Sequence, residues 1–297
     1  MDKAIIEQLA KPLSDEKVQE FYTDIAVPVV CTALEDVASQ CEIINENNIR
    51  VFPMGEYTNG TFIDESGGEL EIVIACSNPQ LTLSNKSYEK EYRDASKKTK
   101  DSVNTKNTSE DIVKLLYKAF QKQFSEQTTL ILYGLGIKIL CKQEVGFNLL
   151  IRFASYSEDD EDIIMHFWNT IKKDNDSVNI YAYAENVDEK DLITKGNYSH
   201  FVRVLKSYRK TMLAKKWISA NKTTRYLVEA LAYNVPNKLL IEKDFYKAYT
   251  KSMMYLLNAP LSSFKSFDDK PINKCALINA NYNTIKTFLN YLAKLDE

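Results

Sequence analysis

Two glutamates separated by one apolar residue, Glu69 and Glu71, begin an apolar run that extends to Cys76. Side chains two residues apart on a β-strand lie on the same face, so both carboxylates would point one way and Leu70 into the core. Two such carboxylates can hold Mg²⁺ or Mn²⁺ against a triphosphate and support phosphoryl transfer. The spacing therefore predicts a catalytic, metal-binding role for Glu69 and Glu71. Two exposed glutamates on an amphipathic strand have the same spacing, so the surrounding sequence must decide.

A glycine-containing turn precedes this strand. A short apolar stretch over 51–54 ends directly before Gly55, and Gly60 and Thr61 follow a few residues later. Glycine lets the backbone approach a phosphate closely and direct N–H groups at it. The segment therefore predicts a phosphate-binding turn that leads through a loop to the glutamate pair.

The apolar pattern predicts a sheet followed by helices. Helical spacing over 15–46 predicts one long helix, bent at Pro28, and a second helix is predicted over 111–124. The polar segment 84–110 is predicted as a loop, and the acidic segment 156–163 as a solvated loop or a helix start. Strands are predicted at 51–54, 70–75, 128–140 and 147–154. Later helices are predicted at about 197–215, 222–234, 243–257 and 280–295.

Composition argues against several classes of protein. The 297 residues are 44% hydrophobic and 27% charged, which is typical of a globular protein, and the net charge of −3 disfavours bulk nucleic-acid binding. Five scattered cysteines without a CxxC pair, and only two histidines, disfavour a zinc site and indicate reduced thiols in the cytoplasm. We expect neither a signal peptide nor a membrane span.

The segment 53–76 resembles the motif of the polymerase-β-like nucleotidyltransferase superfamily. That motif has a hydrophobic residue, Gly-Ser or Gly-Gly, a short spacer, and then an acidic–hydrophobic–acidic triplet. Met54 and Gly55, a spacer over 57–68 and the triplet 69–71 follow this order, and Gly60-Thr61 matches a frequent Gly-Thr pair of the family.

The C-terminal half carries a second resemblance. Residues 201–209 look like the helix that carries a phosphate-contacting lysine, here Lys206, with Arg203 and Lys210 on the same helical face. Residues 223–237 are similar to a helix that ends in Tyr-Asn-Val-Pro-Asn, where proline stops the helix and asparagines can bond the freed backbone groups. Together the two segments resemble the bacterial cGAS/DncV-like nucleotidyltransferases, over about 18–295.

This resemblance implies an α+β, polymerase-β-like mixed sheet with a long N-terminal spine helix and a C-terminal helical lobe. It implies a core domain over 1–195 and a helical lobe over 196–297, with a nucleotide between them. It further implies a cytoplasmic, Mg²⁺- or Mn²⁺-dependent enzyme of antiphage signalling that joins NTPs into a cyclic oligonucleotide. NTPs or a cyclic nucleotide, and a protein from the same defence operon, are the implied partners.

The resemblance also assigns roles to individual residues. Besides the metal ligands Glu69 and Glu71, it implies triphosphate contacts by Lys206 and by Thr223 or Thr224, and base stacking by Tyr226 or Tyr233. The turn would contribute Gly55, Glu56 and Thr61. A surface lysine and tyrosines packed in the core would give the same residue pattern in these helices.

The sequence departs from the family at three positions. Glu56 replaces the serine after the first glycine, which adds a negative charge beside a polyanion. The paired acids are glutamates rather than aspartates, which moves each carboxylate by one methylene. The third acid is missing, because Leu150 aligns with it, while Glu144 lies before that strand and Asp159 after it.

Three hypotheses follow from this mixture of likeness and departure. The first is an enzyme of weakened or altered catalysis. The second is an inactive pseudo-nucleotidyltransferase that binds a nucleotide or a protein as a sensor or regulator. The third is a transferase acting on RNA or protein, to which the basic residues of 97–106 would contribute.

Overall fold

The computed structural model describes most of the chain, in ranges separated by gaps. These ranges are 2–12, 15–41, 44–63, 69–77, 109–124, 128–132, 136–140, 148–159, 162–169, 174–220, 222–267, 269–275, 277–278 and 280–296. The chain divides into two compact units. The sheet unit is Glu16–Met54 with Gly68–Ile180, and the helical unit is Met1–Asp15, Gly55–Gly67 and Tyr181–Glu297. The predicted domain division at residue 195 stays a prediction.

Seven strands in the described ranges form one mixed sheet in the sheet unit. They are β1 (Ile49–Met54), β2 (Glu69–Cys76), β3 (Thr129–Leu132), β4 (Gly136–Leu140), β5 (Asn148–Asp159), β6 (Asp162–Asn169) and β7 (Asp174–Asn179). The order is β1-β2-β5-β4-β3, and β6 pairs with the later part of β5 and with β7. The pair β2–β5 is parallel and the other pairs are antiparallel. The predicted α+β fold with a mixed sheet is therefore confirmed.

β2 is a central strand, flanked by β1 and β5. From Leu70 to Cys76 every side chain is buried, on both faces of the sheet. A strand that is covered on both faces has a continuous apolar sequence rather than alternating apolar and polar residues. This explains why the run after Glu71 is apolar without interruption.

The N-terminal helix of the sheet unit is shorter than predicted. Helical structure runs through α2 (Asp15–Glu20), a π-helical turn (Phe21–Ala26) and α3 (Val27–Ala38). The π-helical turn ends at Ala26, two residues before Pro28, the residue at which the sequence predicts a bend. The helix does not continue to 46, because Asn45 and Asn48 bond nearby backbone N–H groups in a turn instead. Helix α4 (Ser109–Gln123) packs against α3 and the sheet.

One strand prediction and one loop prediction need correction. The run 128–140 is two antiparallel strands, β3 and β4, rather than one. The acidic segment 156–163 is not a loop or a helix start, because β5 continues to Asp159 and β6 begins at Asp162. Cross-strand pairing with β6 fixes this segment as a hairpin in spite of its charge. The predicted loop 84–110 and the residues Glu144 and 97–106 lie outside the described residues, apart from 109–110 in α4.

The helical unit is built around one buried helix. Its helices are α1 (Lys3–Leu9), α5 (Ile180–Ile193), α6 (Asn197–Ala214), α7 (Arg225–Tyr233), α8 (Asn237–Leu240), α9 (Phe245–Asn258) and α10 (Tyr282–Asp296). α6 contacts α1, α7, α9 and α10, and its residues 201–206 are all buried. The four predicted helices correspond to α6, α7, α9 and α10, with bounds that differ by at most a few residues. No helix in the described ranges is long and apolar enough to cross a membrane.

The Tyr-Asn-Val-Pro-Asn segment ends α7 through side-chain hydrogen bonds. Asn234 donates to the carbonyl oxygen of Ala230 at 2.7 Å, as predicted for a freed backbone group. Asn237 instead accepts from Nζ of Lys190 at 2.7 Å, and Lys190 also donates to the carbonyl of Val235 at 2.8 Å. The segment therefore fastens the end of α7 to a buried lysine of α5.

Candidate functional site

The turn after β1 has the backbone conformation that its glycines predict. Gly55 and Gly60 have positive φ angles of 68° and 58°, which glycine adopts readily. The amide of Asn59 donates to the carbonyl of Gly55, and the amide of Thr61 donates to the carbonyl of Glu56, both at 3.1 Å. These bonds fold the segment 55–61 into a compact turn of the helical unit.

Glu56 is buried in this turn, with only 3% of its surface exposed. Its Oε1 lies 3.1 Å from Nζ of Lys206 on α6 and 3.4 Å from Nε of Arg225 on α7. A buried carboxylate requires such cationic partners, because desolvation of an unpaired charge is costly. The residue that departs from the family motif is thus held between two cations of the helical unit.

Lys206 is the centre of a buried polar cluster. The lysine is 2% exposed, and besides Glu56 its Nζ lies 2.5 Å from Oε1 of Glu229 and donates to Oγ1 of Thr61 at 2.7 Å. An ammonium group has three N–H donors. The hydrogen bonds of Lys206 go to Glu229 and to the hydroxyl and carbonyl oxygens of Thr61, the carbonyl at 3.4 Å, while Glu56 contributes an ion pair.

Glu229 lies at the other side of Lys206 and is 1% exposed. It accepts hydrogen bonds from the hydroxyl of Tyr183 at 2.6 Å and from Nδ2 of Asn59 at 3.1 Å. Burial, reinforced by the negative charge of Glu229, raises the pKa of Tyr183 well above its usual value of 10.0. Tyr183 therefore stays a neutral donor to Glu229 at physiological pH.

Arg203 holds the same turn from one helical turn earlier on α6. Its Nη1 donates to the carbonyl of Gly60 at 2.8 Å, and its Nε donates to the carbonyl of Ala10 at 2.6 Å. The predicted shared face of α6 thus brings Arg203 and Lys206 to adjacent residues of the turn. Lys210, the third residue of that face, is half-buried.

The threonines before α7 make structural contacts. Thr224 caps the helix, because its Oγ1 accepts from the amide of Leu227 at 3.2 Å, and it lies 3.0 Å from the carbonyl of Leu277. Thr223 is buried and donates to the carbonyl of Ser219 at 2.7 Å. Nucleotide binding by either threonine stays a prediction.

The two tyrosines of α7 differ in exposure. Tyr226 is buried, with its ring centroid 5.9 Å from that of Tyr183. Tyr233 is half-buried, packs 5.3 Å from the ring of Phe267, and has Nζ of Lys190 5.2 Å from its ring centroid. Base stacking by Tyr226 or Tyr233 also stays a prediction.

The glutamate pair begins β2 in the sheet unit. Glu69 and Glu71 lie on one face of the strand, with Leu70 fully buried on the other, as the alternation predicts. Each carboxylate is paired with a basic side chain of another strand of the sheet. Glu69 forms an ion pair with Lys138 of β4, and Oε1 of Glu71 lies 2.5 Å from Nε of Arg152 of β5.

A leucine stands next to Glu71 in the sheet. The parallel register pairs Glu71 with Leu150, and the antiparallel register pairs Leu150 with Lys138. Leu150 is 4% exposed, so an apolar side chain fills the place between an acidic and a basic strand neighbour. The side chain of Asp159, the acid predicted after this strand, lies outside the described side chains.

The described residues do not fit a metal centre of the implied type. Among them, no group of three or more His, Cys, Asp or Glu side chains is placed to hold a metal ion. Glu69 and Glu71 already carry cationic partners, and Leu150 offers no ligand oxygen. A divalent cation at this pair would have to compete with Lys138 and Arg152 for the carboxylates.

Several residues of these clusters were missed by reasoning from the sequence. Lys138, Arg152 and Glu229 each stand alone among apolar neighbours in a strand or helix, as in Gly-Ile-Lys-Ile-Leu over 136–140. A single charge in an apolar run must be paired when the run is buried, so this pattern is the signal that could have found them. Their partners, however, follow only from the fold.

The helical part of the chain matches a known protein family. Residues 185–294 match the family of the cGAS/DncV-like nucleotidyltransferase C-terminal helical domain. No match was found among the sequences of curated proteins. The helical part of the chain is therefore similar to this family's helical domain, in agreement with the resemblance seen in the sequence.

Solved structures superpose on nearly the whole length of this chain. The CdnE c-UMP-AMP synthase of Rhodothermus marinus superposes with a TM-score of 0.64 at 16% identity, covering 99% of this chain and 96% of its own. The CdnE cyclic dinucleotide synthase of Elizabethkingia meningoseptica superposes with a TM-score of 0.66 at 14% identity, covering 99% of this chain and 97% of its own. CdnC of E. coli MS115-1, in a complex with a HORMA protein, superposes with a TM-score of 0.61 at 15% identity, covering 100% of this chain and 90% of its own. At these identities the likeness establishes a shared fold.

Proposed function

We propose that the chain is a nucleotidyltransferase-like protein of cyclic-oligonucleotide signalling that binds NTPs and joins them with weakened or altered catalysis. In this reaction the 3′-hydroxyl of one nucleotide attacks the α-phosphate of another and releases pyrophosphate. The observation that carries the proposal is the glutamate pair Glu69 and Glu71 at the head of β2, in a fold shared with cyclic dinucleotide synthases. The helical-domain family supports the same class.

The contacts of the glutamate pair support weakened catalysis. Lys138 and Arg152 neutralise the two carboxylates, and Leu150 supplies no third acid. If Mg²⁺ or Mn²⁺ acts in the reaction, it must compete with Lys138 and Arg152 for the two carboxylates. We therefore expect turnover well below the ~1 per second of an ordinary enzyme.

Product formation tests the proposal directly. Purified protein is incubated with four labelled NTPs and Mg²⁺ or Mn²⁺, treated with phosphatase, and the products are separated. We expect a slow, phosphatase-resistant product that is lost in the Glu69→Gln/Glu71→Gln variant and kept in Glu242→Gln, which removes an exposed charge of the helical unit. Product that survives in the double variant would contradict the role of the glutamate pair, and a rate of ~1 per second or more would contradict weakened catalysis.

A catalytically inactive pseudo-nucleotidyltransferase is the alternative, and the apolar neighbour of Glu71 favours it. Such a protein would bind a nucleotide or a protein partner as a sensor or regulator without turnover. Absence of product from all NTPs, together with saturable binding of an NTP or a cyclic nucleotide in calorimetry, would support this alternative over the enzyme. Absence of both would contradict both.

The proposed setting is antiphage defence in the cytoplasm, with a protein partner encoded in the same operon. Support comes from the CdnC structure, which contains a HORMA protein. Phage plaque counts on cells carrying the operon, with and without the Glu69→Gln/Glu71→Gln variant, test the setting. Equal counts with and without the gene itself would contradict it.

A further inference from the structure

Acidic and basic residues are distributed unevenly along the helical unit. The segments 192–228 and 270–295 together contain thirteen lysines and arginines and no aspartate or glutamate, although the whole chain has more acidic than basic residues. These segments include α6, the beginning of α7 and most of α10, and α6 contacts α10. The net charge of −3 therefore conceals a part of the helical unit whose formal charges are all positive.

Several lysines of these segments are exposed to solvent. None of the five considered next forms an ion pair with a side chain that the structure describes, whereas exposed Lys251 pairs with Glu242 and exposed Lys265 pairs with Asp269 in the same unit. The five lie at the end of α6, in the loop that follows it, or in α10, and they are Lys215, Lys216, Lys222, Lys286 and Lys294. Their positive charge is therefore available to an anionic partner.

Two of these lysines lie against a pair of stacked aromatic rings. The ring centroids of Trp217 and Tyr291 are 5.1 Å apart, with 25° between the ring planes. Nζ of Lys215 lies 4.6 Å from the ring centroid of Trp217, and Nζ of Lys294 lies 5.4 Å from that of Tyr291. Both rings are half-buried and both lysines are exposed. These four neighbouring side chains are named the aromatic–lysine patch.

The patch combines the two kinds of side chain that bind single-stranded nucleic acid. Basic side chains contact the phosphates of a strand, and aromatic rings provide faces on which its bases stack. The ammonium group of Lys215 is attached through a flexible four-carbon chain, so it can leave the ring of Trp217 for a phosphate and expose the ring to a base. An acidic protein segment would pair with the lysines but would not require the stacked rings.

We propose that the aromatic–lysine patch binds single-stranded nucleic acid. A base stacks on the ring of Trp217, and Lys215 and Lys294 contact neighbouring phosphates. The remaining lysines of the acid-free segments increase the attraction at longer range. The inference goes beyond the proposed function and does not rest on it, because the patch contains none of the residues proposed to join nucleotides.

Tryptophan fluorescence tests the stacking. The chain has two tryptophans, Trp168 and Trp217, so Trp217→Phe leaves only Trp168 as an emitter. Titration with oligo(U) of about 12 nucleotides is expected to quench the emission of the native chain in a saturable way, and to leave that of Trp217→Phe unchanged. Equal fractional quenching in the two proteins, or no quenching in either, would overturn the proposal.

The salt dependence of oligo(U) binding tests the phosphate contacts. Lys215→Gln/Lys294→Gln is expected to weaken binding and to reduce the slope of log Kd against log salt by about 1.4, since each phosphate contact with a single strand contributes about 0.7. Lys251→Gln/Lys265→Gln is the matched control, because it removes two exposed charges of the same unit. Fluorescence anisotropy of labelled oligo(U) gives both slopes, and equal slopes in the two double variants would contradict the proposal.

A second polyanion separates base stacking from attraction by charge alone. Trp217→Leu is expected to lower the affinity for oligo(U) roughly tenfold, the size of one stacking contribution, and to leave the affinity for polyvinyl sulfate, which has no bases, unchanged. A similar loss for both polyanions would show that Trp217 acts only through the fold and would refute its role in stacking. NTPs, metal ions and turnover do not enter these measurements, so their outcome is separate from that of the proposed function.

Discussion

Leu150 of β5 is the parallel-strand neighbour of Glu71 of β2. The family resemblance leads one to expect an acid at this position, and the strand register brings an apolar side chain there instead. Arg152, two residues further along β5, then pairs with Glu71. At the start of β2, the carboxylate of Glu71 is consequently surrounded by the basic side chain of Arg152 and the apolar side chain of Leu150.

Leu150→Asp is expected to create a divalent-cation site at this place. A carboxylate beside Glu71 would bring two like charges onto adjacent strands, about 5 Å apart, and destabilise the fold. Mn²⁺ should reverse this loss, because clustered carboxylates bind divalent cations. Thermal unfolding with and without Mn²⁺ measures the effect, and Leu150→Asn is the uncharged control. If Mn²⁺ raises the Tm of both variants equally, the register argument is wrong.

Arg152→Met is expected to lower the free energy of unfolding by about 3 kcal/mol. Loss of Arg152 removes a cation from the buried carboxylate of Glu71, and this is costlier than loss of the whole pair. The double variant Glu71→Gln/Arg152→Met should therefore be more stable than Arg152→Met alone. Lys251→Met, which breaks the exposed pair with Glu242, should cost roughly 1 kcal/mol or less. Urea denaturation gives all three values, and similar losses for Arg152→Met and Lys251→Met would refute the buried pair.

Tyr183→Phe is expected to destabilise the helical unit more than Tyr208→Phe. The hydroxyl of Tyr183 donates to the carboxylate of Glu229 at 2.6 Å, whereas the hydroxyl of Tyr208 lies 2.8 Å from the neutral hydroxyl of Tyr249. Hydrogen bonds to charged groups contribute ~2 kcal/mol, against ~1 kcal/mol for neutral pairs. Urea denaturation of the two variants provides the comparison, and a larger loss for Tyr208→Phe would be the contrary result.

The free energy of unfolding of the native protein, relative to that of a Lys190→Met variant, is expected to rise with pH above about 8. Burial lowers the pKa of Lys190 to about 8, although its hydrogen bonds to Val235 and Asn237 favour the charged form. The unfolded chain keeps its proton until near pH 10.5, so between these values the unfolded state binds more protons and stability increases with pH. The slope should approach roughly 1 kcal/mol per pH unit.

Unfolding free energies of both proteins at intervals from pH 7 to 9.5 measure this slope. The upper limit avoids the titration of Tyr183 and Tyr198, whose pKa values burial raises well above 10.0. Below pH 8 the cost of burying the charged lysine is fully present, and the difference between the two proteins should be flat there. A flat difference over the whole range would show that burial of the charge is not the cause.

Local patterns predicted most of the helices and the central strands. The uninterrupted apolar run of β2 and the helical spacing of α6 are properties of neighbouring residues, so they can be read without the fold. The hairpin of β5 and β6 could not be predicted in this way, because the acidic residues of 156–163 resemble a solvated loop. Only pairing between the two strands holds them in a β conformation. The end of the long helix was missed for a related reason, since the asparagine turn at 45–48 competes with a helical pattern.

The sequence by itself determined the order of elements, the shared face of Glu69 and Glu71, and the resemblance to the cGAS/DncV-like nucleotidyltransferases. These depend on residue types and on spacings of a few residues, which the backbone geometry of strands and helices converts directly into faces. Only the tertiary structure decided which charges meet, such as Glu56 with Lys206 and Glu71 with Arg152. Strand register and helix packing set these contacts between residues far apart in the chain, and a buried charge is stabilised only by the partner that the fold brings within a few ångströms.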